Sequence, residues 1–390
     1  MKTTHKETQK HYRSACPYFS PTQRKEILRR TQAILTGKEI LTMGNSVREF
    51  EKRFATYCGA KYGIATNSCT SALGVVFKEL MLEKNDEVIV PTQTFFANAS
   101  SVLNSGAKLR LVDTDKDFML TLNIIESAIT KHTKAIVIVH FAGLITQDIF
   151  KIKTLCEKHN ITLIEDCSHA HGAIAIDSQG KAYKAGNIGD IGVFSFFSTK
   201  ILTCGEGGMI VCNNKEFAYK CKARANRGLD SQSQFEHFVS LGENYRMTEF
   251  NAILGLVGLE SLEANLAYRN KLATLYKDSL HTLSQKNLIS FQSISNGFRH
   301  SFWRFIIFLT NHSPQSVIHH LKKYNIYADA PYQPLLHKQP LLHGIKNKVI
   351  FPLTSTTPQN HISLPIHLAI KASDVRFISK KLKEILNEKA

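Results

Sequence analysis

The chain has one tryptophan, no pair of cysteines two residues apart and no cluster of cysteine with histidine. Its eight cysteines, Cys16, Cys58, Cys69, Cys156, Cys167, Cys204, Cys212 and Cys221, therefore argue against a zinc site and against a disulfide framework. Reduced thiols in a cytoplasmic protein are the expected state. Long hydrophobic runs are also missing. Ala135 to Ile145 is the longest and is broken by His140, well short of the ~20 residues a membrane span needs, so no membrane partner is expected. The N-terminus, MKTTHKETQKHYRS, has no apolar stretch of a signal peptide, which again points to the cytoplasm. No internal repeat, low-complexity tract or Pro/Gly-rich linker interrupts the chain. Negative charge is scarce: 49 Lys and Arg face 32 Asp and Glu, a formal net charge of +17. The excess is scattered, with modest concentrations at Arg24, Lys25, Arg29, Arg30 and at Lys380, Lys381, Lys383. None of it interleaves with aromatics as a single-strand-binding surface would. A solvated basic surface with some attraction for a phosphate-bearing ligand is expected, and no nucleic-acid partner.

What is present is alternation. Short apolar or β-branched runs at 62–66, 87–91, 108–113, 134–140, 161–166, 191–196 and 208–212 alternate with segments of helical period such as 70–82, 121–131 and 146–159. Several runs are uniformly apolar, as strands buried on both faces are. An α/β core with a largely parallel sheet follows over most of residues 15–250. From Thr248 the pattern becomes helical for over thirty positions, either one long spine or two broken helices linking two domains. Beyond it SFWRFIIFL (301–309), SPQSVIHHLKKY and ASDVRFISKKLKEIL read as a smaller α+β unit. The division is set at 265/266: a large domain of residues 1–265 with an N-terminal arm over 1–40, and a small C-terminal domain of 266–390.

Three features point to chemistry. Asp166 ends the strand ITLIED, at the edge where open α/β sheets place their ligands; an N-cap is its ordinary alternative role. Thr70 and Ser71, in TNSCTSAL, open a helix after a strand, where backbone N–H groups and the helix dipole favour a phosphate; capping explains them equally well. Lys200 lies in FSFFSTKILTCGEGG, past an apolar strand and before a glycine turn. A loop lysine is the common case, but a desolvated one has a lowered pKa and can form a Schiff base. Lysine, strand-end carboxylate and hydroxyl-rich helix start are together the parts that hold pyridoxal phosphate.

The segments VREFEKRFATYCGAKYGIATNSCTSAL, DEVIVPTQTFFANASSVLNSGAKLRLVDTD, IEDCSHAHGA, GDIGVFSFFSTKILTCGEGG, GENYRMTEFNAILGLVGLESL and SLPIH resemble, in this order and spacing, the DegT/StrS-type sugar aminotransferases of PLP fold type I. The match runs from about Gly44 to the C-terminal helix. The resemblance implies a large domain with a mostly parallel seven-stranded sheet flanked by helices, plus a smaller α+β domain. It implies that Lys200 binds the cofactor aldehyde and moves the proton. Asp166 would pair with the pyridine nitrogen, His169 would sit beside the cofactor and Phe95 would stack on its ring. Thr70, Ser71 and Ser195 match phosphate contacts, and Asn244 one that reaches the neighbouring subunit's phosphate, hence a homodimer with shared active sites. Tyr332 and His337 fall where the family contacts substrate. Two departures stand out. Cys69 replaces a usual glycine, which would crowd the backbone if positive φ were needed there, and Cys204 replaces a usual threonine.

The expected activity is transfer of an amino group from glutamate, or a similar donor, to a keto group of a nucleotide-linked deoxy sugar. A cyclitol or other non-nucleotide ketone is the alternative substrate. The sugar dehydratases of the same family replace the lysine, so the presence of Lys200 opposes that reading. A non-catalytic member would lack Lys200, Asp166 or the phosphate loop, and this chain keeps all three.

Overall fold

The computed structural model describes residues 10–343 and 360–387. Residues 1–9, part of the segment behind the reading of the N-terminus, lie outside the described residues. In chain order the strands of the large unit are β1 (Tyr62–Thr66), β2 (Glu87–Pro91), β3 (Lys108–Val112), β4 (Thr133–Val139), β5 (Thr162–Asp166), β6 (Ile174–Ile176), β7 (Ala182–Lys184), β8 (Ile191–Ser195) and β9 (Gly208–Cys212). β6 and β7 pair as a separate hairpin, which the expected strand pattern does not contain. The other seven form one sheet in the order β1-β9-β8-β5-β4-β2-β3. β9 alone runs antiparallel to both its neighbours, β1 and β8, and the rest are parallel.

Alternation along the strands sorts the core into two layers, because successive side chains leave a strand on opposite faces. Ile89, Ile136, Ile138 and Leu163 pack with Phe50 and Phe54 of α2 (Asn45–Cys58). Val88, Val90, Val137 and Ile164 pack with Leu73, Val76 and Phe77 of α3 (Cys69–Glu79). Both faces are covered, which is why these strands read as continuous apolar runs.

The helical stretch after Thr248 is two helices, α8 (Glu249–Glu260) and α9 (Leu262–Gln285), broken at Ser261. Leu262 and Leu266 belong to the large-unit core, whereas Leu272, Tyr276 and Leu280 belong to the small one, so the 265/266 division falls within α9. The small unit adds β10 (Ile289–Phe291), β11 (Phe305–Leu309) and β12 (His361–Leu364) as an antiparallel sheet, covered by α11 (Ala372–Asn387). Within SFWRFIIFL the strand begins only at Phe305, and residues 301–304 are irregular, with Ser301 and Trp303 bonded to Gly143 and Ala142 of the large unit. The first described residues of the arm also differ from their expected place. Tyr12 pairs with Ile326, and Lys10 meets Asp374 at 2.6 Å, both in the small unit.

Candidate active site

The C-terminal ends of the parallel strands converge on Asp166, which β5 presents nearly buried. No helix follows it, so it is not an N-cap. Its Oδ1 accepts from the Ser168 N–H at 3.0 Å and its Oδ2 from Asn98 Nδ2 at 2.6 Å. Asn98 lies in α4 (Phe96–Ser105), fully buried, and also donates to Thr94 Oγ1 at 2.8 Å. Next to Asp166, Glu165 points the other way. It accepts from His140 at 2.8 Å and from the Gly186, Ile188 and Gly189 N–H groups. Burial opposes its charge, but the His140 contact and the backbone donors prevail and hold its carboxyl below the usual range. With Cys167 these residues form the one close His/Cys/Glu group among the described residues. Its carboxylate is already saturated by the framework.

The start of α3 lies on the same edge. Ser68 caps it, accepting from the Ser71 N–H at 3.1 Å, and the Ser68 and Ser71 hydroxyls are 2.9 Å apart. The N–H groups of Cys69 and Thr70 in the first turn have no intrahelical partner and carry the positive end of the dipole. Thr70 is exposed and Ser71 half-buried. Cys69 is the first helical residue and is not among the residues with positive φ, so the crowding that its Cβ threatened does not arise. Glycine is needed instead at Gly208, where a Cβ would stand 2.4 Å from the Ser68 carbonyl oxygen. Gly208 pairs across β8/β9 with Ser195, and so Ser195 and the start of α3 are neighbours.

Lys200 is half-buried in the turn after β8. Desolvation lowers its amine pKa to about 8, against the pull of Asp166 and Cys69, with Arg304 adding to the lowering. Its Nζ lies 4.5 Å from the centre of the Trp303 ring. His169 stacks on Trp303 with centroids 3.7 Å apart and meets the Tyr332 hydroxyl at 2.7 Å through Nε2. Burial, then Lys200, hold His169 far below its usual pKa, so the ring is neutral. Phe95 precedes α4, is 57% exposed and faces Tyr332 with centroids 6.0 Å apart.

Lys200, Asp166, His169, Tyr332, Ser195, Thr70 and Ser71 thus gather on one edge of the sheet. Two expected residues lie apart. His337 sits in the short helix Leu336–Lys338, anchored by the Leu336 N–H donating to the Thr92 carbonyl and drawn toward Asp113 beyond β3. Asn244 is exposed and bridges Asn226; the adjacent Tyr245 carbonyl accepts from the Asn67 N–H at 2.7 Å, just before α3. Cys204 has no part in the site: fully buried, it accepts from Asn251 through its carbonyl, and its sulfur would lie 2.9 Å from a Cβ on Gly255 of α8. The residues that the sequence reading did not single out are Asn98, Ser168, Trp303 and Arg304.

A family model for DegT/DnrJ/EryC1/StrS aminotransferases matches residues 21–383. The chain belongs to this family. It is a pyridoxal phosphate-dependent aminotransferase. A GDP-perosamine synthase of Caulobacter vibrioides is 34% identical over 351 residues, 89% of this chain and 92% of that protein. A UDP-N-acetyl-3-dehydro-alpha-D-glucosamine 3-aminotransferase of Acidithiobacillus ferrooxidans is 33% identical over 372 residues, 95% and 96% of the two chains. Among solved structures, Helicobacter pylori PseC, an aminotransferase involved in pseudaminic acid biosynthesis, superposes with a TM-score of 0.86 at 25% identity, covering 97% of this chain and all of that one. NtdA of Bacillus subtilis, solved with its cofactor in the amine form (PMP), gives 0.85 at 26% identity, covering 97% of this chain and 87% of that one.

The arrangement fits this cofactor. It offers a desolvated amine, a carboxylate held by two donors, a helix start suited to a phosphate and two buried polar atoms without a partner in the chain, Asn98 Oδ1 and His169 Nδ1.

Proposed function

We propose that this aminotransferase moves an amino group from glutamate to the keto group of a nucleotide-linked deoxy sugar, as a cytoplasmic homodimer with shared active sites. The observation that carries the reading is the Lys200 amine, with its pKa lowered, facing Asp166 beside the start of α3. When bound, pyridoxal phosphate supplies an aldehyde that accepts the amino group and a ring that draws electrons from the carbon losing its proton. The chain's own groups do the rest. Lys200 Nζ would hold the cofactor and, once free and neutral, would take up the proton leaving the carbon that bears nitrogen. Asp166, its orientation set by Asn98 and the Ser168 N–H, would pair with the ring nitrogen. Phe95 and His169 would lie beside the ring, and Thr70, Ser71, Ser195 and the first-turn N–H groups of α3 would take the phosphate. Tyr332 closes over His169 on the substrate side, and His337 is a substrate contact further out.

Relatives that carry GDP- and UDP-linked sugars in their names support the nucleotide-linked substrate. The dimer is supported by the segment before Asn244, where Phe235, Phe238, Val239 and Leu241 are all more than half exposed; such a patch favours being covered. Asn244 would then reach the partner's phosphate.

The purified protein incubated with pyridoxal phosphate should turn yellow, and its visible band should fade on adding glutamate. Running the reaction backwards with 2-oxoglutarate and a panel of nucleotide-linked amino sugars identifies the sugar. A protein that stays colourless, or one in which Lys200→Ala leaves turnover intact, overturns the reading. Sedimentation at low concentration tests the dimer: a monomer with full activity removes the shared site.

A further inference from the structure

Trp303 is the only tryptophan in the chain and is nearly buried. Its indole is held from several sides. The Nε1–H donates to the carbonyl of Thr199, the residue before Lys200, at 3.0 Å. The backbone N–H of Trp303 donates to the Ala142 carbonyl at 2.9 Å, just beyond β4. His169 lies parallel to the ring, with an interplanar angle of 4°. Within this frame two cations approach the indole: Lys200 Nζ at 4.5 Å and the Arg304 guanidinium carbon at 4.4 Å from its centre. Arg304 is occupied elsewhere, donating to the Ser14 carbonyl and pairing with Asp329 at 3.1 Å. Lys200 has no such tether among the described residues; a lysine on a four-carbon stem loses its direction unless something holds its head.

We propose that the indole face of Trp303 is the berth of the Lys200 amine whenever that amine is not bonded to cofactor, which makes Trp303 a positioning residue for the proton transfer. This rests on the reading that Lys200 carries that proton. An ammonium over an indole is attracted by the ring quadrupole, so the berth favours the charged amine, and the neutral amine remains within reach of the cofactor. The groups facing Lys200 are Asp166 from β5, Cys69 from α3, Arg304 ahead of β11, and the neutral His169 and His171; Cys16, Tyr18 and Arg269 line the same pocket, and Tyr332 closes the far side. Burial pushes the Cys69 thiol up to about 12 and the Tyr332 phenol well above its usual value, and holds His169 far below 6.5. A step near pH 8 in this pocket that is lost in Lys200→Met belongs to Lys200.

The sole tryptophan is its own reporter. In the full-length chain freed of cofactor, Trp303 fluorescence should follow a one-proton step with a midpoint near pH 8, and Lys200→Met should abolish it. In the cofactor-loaded enzyme, Trp303→Phe keeps an aromatic face, and the pH midpoint for amination of the cofactor by glutamate should stay within about half a unit of the native one. Trp303→Leu removes the face and should lower that midpoint by about one unit, while the plateau rate above the midpoint falls about tenfold because the amine loses its direction, with the KM for glutamate within about twofold. Absence of the fluorescence step, its survival in Lys200→Met, or an unchanged midpoint in Trp303→Leu overturns the berth. If Trp303→Leu does not fold, the fluorescence titration of the native chain still decides. A Lys200→Met protein that still transaminates sinks the function itself; loss of turnover there without a native fluorescence step sinks only the berth.

Discussion

Asn98 shows what a single buried donor can do. Its amide reaches Asp166 at 2.6 Å inside the framework, where a hydrogen bond to a charged group is strong and its loss expensive. Asn98→Ala would leave Asp166 held by the Ser168 N–H alone, and affinity for pyridoxal phosphate should fall about tenfold, measured by absorbance titration. Asn98→Asp is the sharper test. A second carboxylate beside the first cannot ionise with it, so one takes a proton, and the loss of affinity should exceed that of the alanine variant. A smaller loss in the aspartate variant would show that Asn98 does not act through the charge of Asp166. At this scale the sequence was legible for Lys200 and Asp166, because each follows a strong strand signal at a known edge. Asn98 was not: in FFANAS it is one polar residue in a helix start, and only the fold shows that this turn faces β5. Trp303 offered one signal that could have been used, its being the only tryptophan.

Elements here are joined by charges placed at their ends. Glu249 opens α8 nearly fully buried, yet its carboxylate serves α2, accepting from the N–H groups of Gly44 at 2.8 Å, Ser46 at 2.8 Å and Val47 at 3.3 Å. α2 has no side-chain cap of its own, so this carboxylate from 200 residues away caps it and balances its dipole. Glu249→Ala would strand those N–H groups and should cost about 2–4 kcal/mol in urea unfolding. Glu249→Gln, which keeps an acceptor without the charge, should cost about half as much. Equal stability of the alanine variant would show that water replaces the cap. No sequence pattern announces a cap supplied from so far along the chain, although the same residue follows Thr248, which caps α8 locally. The strands, by contrast, were legible to within a residue or two because burial on both faces writes itself into composition. Their order, the reversal of β9 and the hairpin β6/β7 depend on long-range pairing and left no local trace.

The molecule as a whole is strongly basic, and its response to acid follows from histidines that it keeps neutral. Burial lowers His171 and His300 to about 3 and His361 and His367 to about 4, and holds His169 well below 6.5. These rings lie in both units and at the seam between them, so their effect is global. The sign is fixed by which state binds protons. Below pH 6.5 the unfolded chain protonates these histidines and the folded chain refuses, so each weakens the fold by up to about 1.4 kcal/mol per pH unit until its folded pKa is reached. Glu165, with its folded pKa lowered, adds to the loss only below about 4.5. The melting temperature of the cofactor-free chain should therefore be nearly level around pH 7 and fall steeply between pH 6.5 and 4, with unfolding taking up several protons in that window. His300→Gln, at a buried ring stacked on Phe302, should flatten that fall by about one proton. A melting temperature that stays level down to pH 5 would show that these rings are charged within the fold, with partners other than those that surround them here.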